Sequence, residues 1–255
     1  MLHPAEARVR AAHRTADAGR RQLEALGRPH GALDARRYFR AADDLEFYNV
    51  GMPTVRRLAR QIAQEHRGSW SVGEAMAFAE RLVCDPHLEA KLLGIEVLAC
   101  YRRAFTRRML TSWKGWLSAN HASNWATTDA MCGALIGPLL LSEPSLANRM
   151  PAWARHRNMW VRRAAAVSLV PLVRKGYQLS VGYTVARLLH GDTEDLIQKA
   201  VGWMLREAGK TDIARLEQYL RTHGPGIPRT TLRYAIERFP PPARRHLLSA
   251  TRRKA

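Results

Sequence analysis

Ile197-Gln198-Lys199-Ala200-Val201-Gly202-Trp203-Met204-Leu205-Arg206-Glu207 is the stretch on which the fold turns. Ile197, Ala200, Val201, Met204 and Leu205 recur at helical spacing and make one apolar stripe. Trp203 falls off the centre of that stripe, toward the face with Lys199 and Arg206. Just upstream, Asp192-Thr193-Glu194-Asp195 places acidic groups at the positive end of the helix dipole, which suits a helix start. Working outward, the same period returns through the chain and no alternating strand pattern appears. Pro and Gly break it at 51–53, 68–71, 85–86, 142–144, 176, 191–192, 224–228 and 240–242. The intervals are roughly a dozen to eighteen residues, the length of ordinary globular helices. Pro53 and Pro86 stand ahead of 54–66 and 87–103 and read as first-turn prolines.

The expected fold is therefore all-α. A helical chain of this length closes into a bundle or stacks as a solenoid. Pairs recurring at roughly 35 to 40 residues favour an α-solenoid of stacked HEAT-like helical pairs forming a concave basic groove. Residues 1–255 are expected to make a single domain, with 1–30 a charged amphipathic helix and 240–255 a basic C-terminal end whose tail, 251–255, is solvated.

Lys and Arg number 41 against 22 Asp and Glu, a formal net charge of +19 with a pI near 11.0. Self-repulsion of that size opposes compaction, and the common reason to retain it is a polyanionic partner, nucleic acid first. An Arg- and Ala-rich composition inherited from a GC-rich genome is the alternative source. Cys84, Cys100 and Cys132 lack C-x-x-C spacing and are too scattered for a disulfide framework or a four-ligand metal site. They read as small buried hydrophobes. Residues 1–21 hold no apolar signal segment, and no run approaches the ~20 apolar residues that span a bilayer. A cytoplasmic, nucleoid-associated bacterial protein, working as a monomer away from membranes, is the expectation.

Three segments could carry chemistry. In Ser123-Asn124-Trp125-Ala126-Thr127-Thr128-Asp129, Ser123 reads as the N-cap, and Trp125 and Asp129 fall at i and i+4 on one face. Either Asp129 is a functional carboxylate beside an indole, or it caps or pairs locally and Trp125 is core; the spacing leaves both open. Trp203 flanked by Lys199 and Arg206 suits a nucleic-acid surface and equally a stripe margin. Asn158-Met159-Trp160-Val161-Arg162-Arg163-Ala164-Ala165 sets two arginines at a helix start, suited to phosphate or to plain solvation. The sequence has no H-E-x-x-H, P-loop, G-x-G-x-x-G or G-x-S-x-G, and His87, His121 and His190 have no partner at metal spacing. Neither a metal nor another cofactor is expected.

Taken in order, these motifs resemble the AlkD-like family of bacterial DNA alkylation repair glycosylases. The run 197–207 follows that family's I-Q-K-A-x-G-W-x-L-R-E, 158–165 its N-x-W-x-x-R-A-A, and 125–129 its W-x-x-x-D. The stretch 44–53 with Arg56 and Arg57, and the stretch 93–98, resemble earlier family segments. The resemblance implies excision of cationic N3- or N7-alkylated purines from duplex DNA without base flipping, the first step of base excision repair. It implies Asp129 as the catalytic carboxylate, Trp125 and Trp203 as indoles on the lesion's deoxyribose, and Arg163 at the DNA backbone. Arg162, Lys199, Arg206, Arg56 and Arg57 join Arg163 as expected DNA contacts. A monofunctional enzyme leaving an abasic site is expected. Competing expectations are a self-resistance glycosylase for a bulky natural-product adduct, a non-catalytic binder of DNA structures, and a protein-interaction scaffold. The segment around Trp113, Lys114, Trp116 and His121 has no confident counterpart, and is expected to border the groove and tune lesion choice.

Overall fold

The computed structural model describes residues 4–28, 38–39 and 45–251. The remainder, including Asp44 of the early family-like segment and Arg252-Arg253-Lys254-Ala255 of the basic end, lies outside the described residues. All named elements among those described are helical; Glu46 and His87 form one isolated β-bridge. The all-α expectation holds. The chain divides into two compact units, Met1–Leu135 and Ile136–Ala255.

The first unit holds α1 (Pro4–Leu26), α2 (Met52–Glu65), α3 (Val72–Val83), α4 (Leu88–Ala99), α5 (Met109–Ser118) and α6 (Trp125–Met131). Ala12, Ala16, Gly19 and Leu23 recur on one face of α1, which explains their burial in an otherwise charged helix. Helix α3 packs on α1 and α4, and α4 packs on α2. Ser71 starts α3 through a capping box with Glu74: Oγ of Ser71 accepts from the amide of Gly73, and Glu74 accepts from the amide of Ser71. Gly94 brings α4 against α3, since a Cβ there would lie 3.2 Å from the Ala79 carbonyl oxygen.

Two polar side chains tie loops to apolar α4. Glu89, 4% exposed, accepts from the amides of Tyr48 and Val50, both at 3.1 Å, and so fixes the strand-like approach to α2. Lys91 donates from Nζ to the carbonyls of Val83 (2.7 Å) and His121 (2.8 Å). Pro53 sits in the first turn of α2 as expected, but Pro86 does not start α4. His87 is the N-cap there, because the Asp85 carboxylate takes both its amide and its ring nitrogen at 2.9 Å.

The second unit holds α7 (Gly137–Ser142), α8 (Met150–Ala154), α9 (Met159–Val167), α10 (Val170–Val173), α11 (Leu179–Leu188), α12 (Asp195–Ala208), α13 (Ile213–His223), α14 (Arg229–Ala235) and α15 (Pro241–Ala250). Helix α12 is its centre and packs on α9, α10, α11 and α14. The stripe Ile197, Ala200, Val201, Met204 and Leu205 is buried throughout, as its spacing predicts. Of the tail 251–255 only Thr251 is described: it is 2% exposed, its Oγ1 donates to the Leu247 carbonyl at 2.6 Å, and Arg229 donates to it in turn. Of the cysteines only Cys132 is buried; Cys84 and Cys100 are exposed. They fall where α3 and α4 end, and there the stripe no longer faces the core.

Candidate functional site

Asn124, not Ser123, caps α6; its side chain accepts from the amide of Thr127 at 2.8 Å. The one-residue shift makes Trp125 the first helical residue and leaves Asp129 one turn further along the same face. Both are half-buried. Beneath them Thr127 and Thr128 are fully buried, and Thr128 Oγ1 donates to the Ala122 carbonyl at 2.8 Å. The loop before Trp125 is thus held from α6 by Thr128 and from α4 by Lys91. Immediately after Met131 the helix widens into a π-helical stretch, Cys132–Ile136, a distortion that recurs at functional sites.

The Trp125 indole is fixed at both edge and face. Its Nε1 donates to the carbonyl of Tyr38 at 3.0 Å, and its ring stacks on Phe39 with centroids 5.4 Å apart and planes 18° from parallel. Phe39 also meets Phe47 at 5.3 Å. Reasoning from sequence does not find this aromatic support, because Phe39 lies 86 residues from Trp125 in a stretch without helical period. It also passes over Glu89 and Lys91, although charged residues inside the apolar run 88–99 were the signal. Burial pushes the Lys91 ammonium below its ordinary value, and two carbonyls hold it in place.

The two indoles of α5 belong to the core. Trp113 is wholly buried, edge-on to Phe105 at 5.0 Å, and Trp116 is 4% exposed. With Leu110 and Leu117 they form the helix's core stripe, so neither indole is offered to a ligand.

In the second unit Trp203 is half-buried on α12, off the stripe as its spacing predicts. Gly202 before it permits close packing of α14: a Cβ would lie 2.7 Å from the Thr231 carbonyl oxygen. The expected DNA-contacting arginines of this unit are engaged internally. Arg163 is 5% exposed and donates to the Leu196 carbonyl at the start of α12. Arg162 pairs with Asp192 at 2.7 Å and donates to the carbonyls of His156 and Arg157. Arg206 pairs with Glu207 and Glu237. Glu207 gathers Arg174, Arg206 and Lys210 around a buried carboxylate. Burial raises its pKa, but hydrogen bonds from Lys210 and Arg174 outweigh that and hold it below the usual carboxylate range. Lys199 pairs with Asp195 one turn away at 2.7 Å and stays half-exposed. In the first unit Arg57 is exposed and reaches only Thr54, and Arg56 meets Glu96 at 3.1 Å. Sequence spacing placed these cations on helices correctly but could not tell which find carboxylates.

The chain is similar to known proteins over most of its length. The family described as DNA alkylation repair enzyme matches residues 20–239. Among solved structures, one named a predicted DNA alkylation repair enzyme from Enterococcus faecalis superposes with a TM-score of 0.71 at 18% identity, covering 81% of this chain and 93% of that one. At that identity the likeness concerns the fold. No curated protein matches the chain.

Proposed function

The chain belongs to the DNA alkylation repair enzyme family, and from that premise we propose that it is a monofunctional DNA glycosylase acting on cationic N3- or N7-alkylated purines. The observation that carries the reading is the pairing on α6 of a half-buried carboxylate, Asp129, with a rigidly held indole, Trp125. Alkylation at N3 or N7 gives the purine a positive charge and makes it a good leaving group, so no general acid is required. As the C1′–N bond breaks, its electron pair neutralises the base and positive charge grows on the sugar. Asp129 stabilises that charge and orients a water whose oxygen bonds to C1′ while its proton passes to the carboxylate. The indole face of Trp125 presents negative quadrupole to the same cation. Trp203 takes the part of the second indole by its position in the I-Q-K-A-x-G-W run. Lys199, tied to Asp195, is not an amine nucleophile here, and the product is an abasic site.

The test is base release, by mass spectrometry, from duplexes carrying 7-methylguanine, 3-methyladenine or one bulky N3-adenine adduct. The expected result is release of the small lesions, abolished in Asp129→Asn with duplex affinity retained. Release unchanged in Asp129→Asn overturns the assignment. Release of the bulky adduct alone makes the enzyme a specialised resistance glycosylase.

A further inference from the structure

Three arginines gather on one side of the first unit. Arg60 and Arg67, exposed on α2 and just beyond its end, line a cleft of about 360 Å³ with Gln64, Cys100 and Tyr101. Arg102, exposed in the short 3₁₀ turn Arg102–Ala104, shares with Arg60 the electrostatic surroundings of the Cys100 thiol. Glu96 acts on the same thiol, but its carboxylate is already taken by Arg56 at 3.1 Å. None of the three arginines has an ion-pair partner among the described residues. The Tyr101 hydroxyl is likewise buried without a hydrogen-bond partner. The motif arginines of the second unit stand differently. There Arg162, Arg163 and Arg206, which the motifs mark for DNA, are spent on Asp192, the Leu196 carbonyl, Glu207 and Glu237.

We infer that Arg60, Arg67 and Arg102 form a phosphate-binding surface that seats the sugar–phosphate backbone of the duplex. This inference rests on the glycosylase reading above, because it takes DNA as the partner. A guanidinium matches a phosphate in bidentate fashion, and an arginine without a carboxylate gives up no competing ion pair when it does so. Each phosphate neutralised releases condensed counterions, so the surface contributes affinity that falls with salt and does not depend on base sequence.

The experiment measures duplex affinity against salt for the full chain and for Arg60→Gln/Arg67→Gln/Arg102→Gln. A second triple variant, Arg238→Gln/Arg244→Gln/Arg245→Gln, removes the same charge from exposed positions elsewhere. The first variant is expected to flatten the log–log salt slope by about 2 to 3, near 0.9 per lost phosphate contact. The second is expected to change the slope by less than about 1. Equal slopes in the two variants would trace the effect to bulk charge and overturn the inference. So would inorganic phosphate binding at the cleft with duplex affinity of the first variant at wild-type level, which assigns the cleft to free phosphate. Wild-type excision with an unaltered slope in the first variant sinks this surface alone. Absence of duplex binding by the wild type sinks the glycosylase reading with it.

Discussion

The indole N–H of Trp125 donates to the main-chain carbonyl of Tyr38, 87 residues earlier in the chain, at 3.0 Å. A backbone acceptor does not depend on the identity of the side chain at Tyr38, so the bond fixes the ring edge while Phe39 fixes its face.

Trp125→Phe removes that donor and keeps a ring against Phe39; Trp125→Ala removes both. The bond contributes about 1 kcal/mol and a cation–π contact about 1–2 kcal/mol. Single-turnover release of 7-methylguanine is therefore expected to fall about tenfold in the Phe variant and a hundredfold or more in the Ala variant. Wild-type rates in both variants would mean that the indole has no part in catalysis.

The helical period and the off-stripe place of Trp203 were legible because burial of a stripe is a local, repeating requirement. The pairing of Trp125 with Asp129 was legible for the same reason, being a matter of i and i+4. What spacing cannot express is competition between neighbours. Ser123 and Asn124 are both good caps, and Asn124 prevails because its side chain reaches the Thr127 amide while the loop before it is held by Lys91. Nothing in the sequence tells that Arg162 and Arg163 find internal partners while, among the described residues, Arg60 and Arg67 do not. Only the fold supplies Asp192 and the Leu196 carbonyl to the first pair.

Lys91 acts on Trp125 and Asp129 only through the main chain. Lys91→Met keeps most of the buried stem and leaves the carbonyls of Val83 and His121 without their donor, at a cost of about 2 kcal/mol. Thermal unfolding is expected several degrees lower. The single-turnover excision rate should fall at unchanged duplex affinity, with partial rescue in Lys91→Arg. Loss of stability with a wild-type excision rate would make Lys91 a purely structural clip.

His190 gives the second unit a dependence on acid. Burial, then the positive neighbours His223 and Arg187, pull its pKa down to about 4 from 6.5. Its Nε2 sits 2.9 Å from the Tyr219 hydroxyl, whose own pKa burial pushes up. Between pH 6.5 and 4 the unfolded chain binds the proton that the folded chain refuses. Stability is therefore full above about 6.5 and falls as pH drops toward 4, by an amount on the order of 2 kcal/mol. His190→Gln should lose this part of the acid dependence. Denaturant melts at pH 7 and pH 4.5 measure it, and an identical pH difference in wild type and variant would exclude His190 as the source.

Two helical glycines should respond to the same substitution with opposite signs. Gly115 on α5 has open space where a Cβ would stand, so Gly115→Ala is expected to stabilise by about 0.5–1 kcal/mol through backbone entropy and helix propensity. Gly202 on α12 has no such room: its Cβ would stand 2.7 Å from the Thr231 carbonyl oxygen and closer still to Tyr234 Cβ. Backbone cannot swing aside as a side chain can, so α14 must retreat, and overpacking of about 1–3 kcal/mol outweighs the propensity gain. The retreat also loosens the Thr231 Oγ1 bond to the Gln198 carbonyl at 3.0 Å, one turn before Trp203. Gly202→Ala is thus expected to lower the unfolding midpoint and, through the displaced Trp203, to slow excision. A Gly202→Ala variant as stable as wild type would show that the close approach of α12 and α14 is not what this glycine provides.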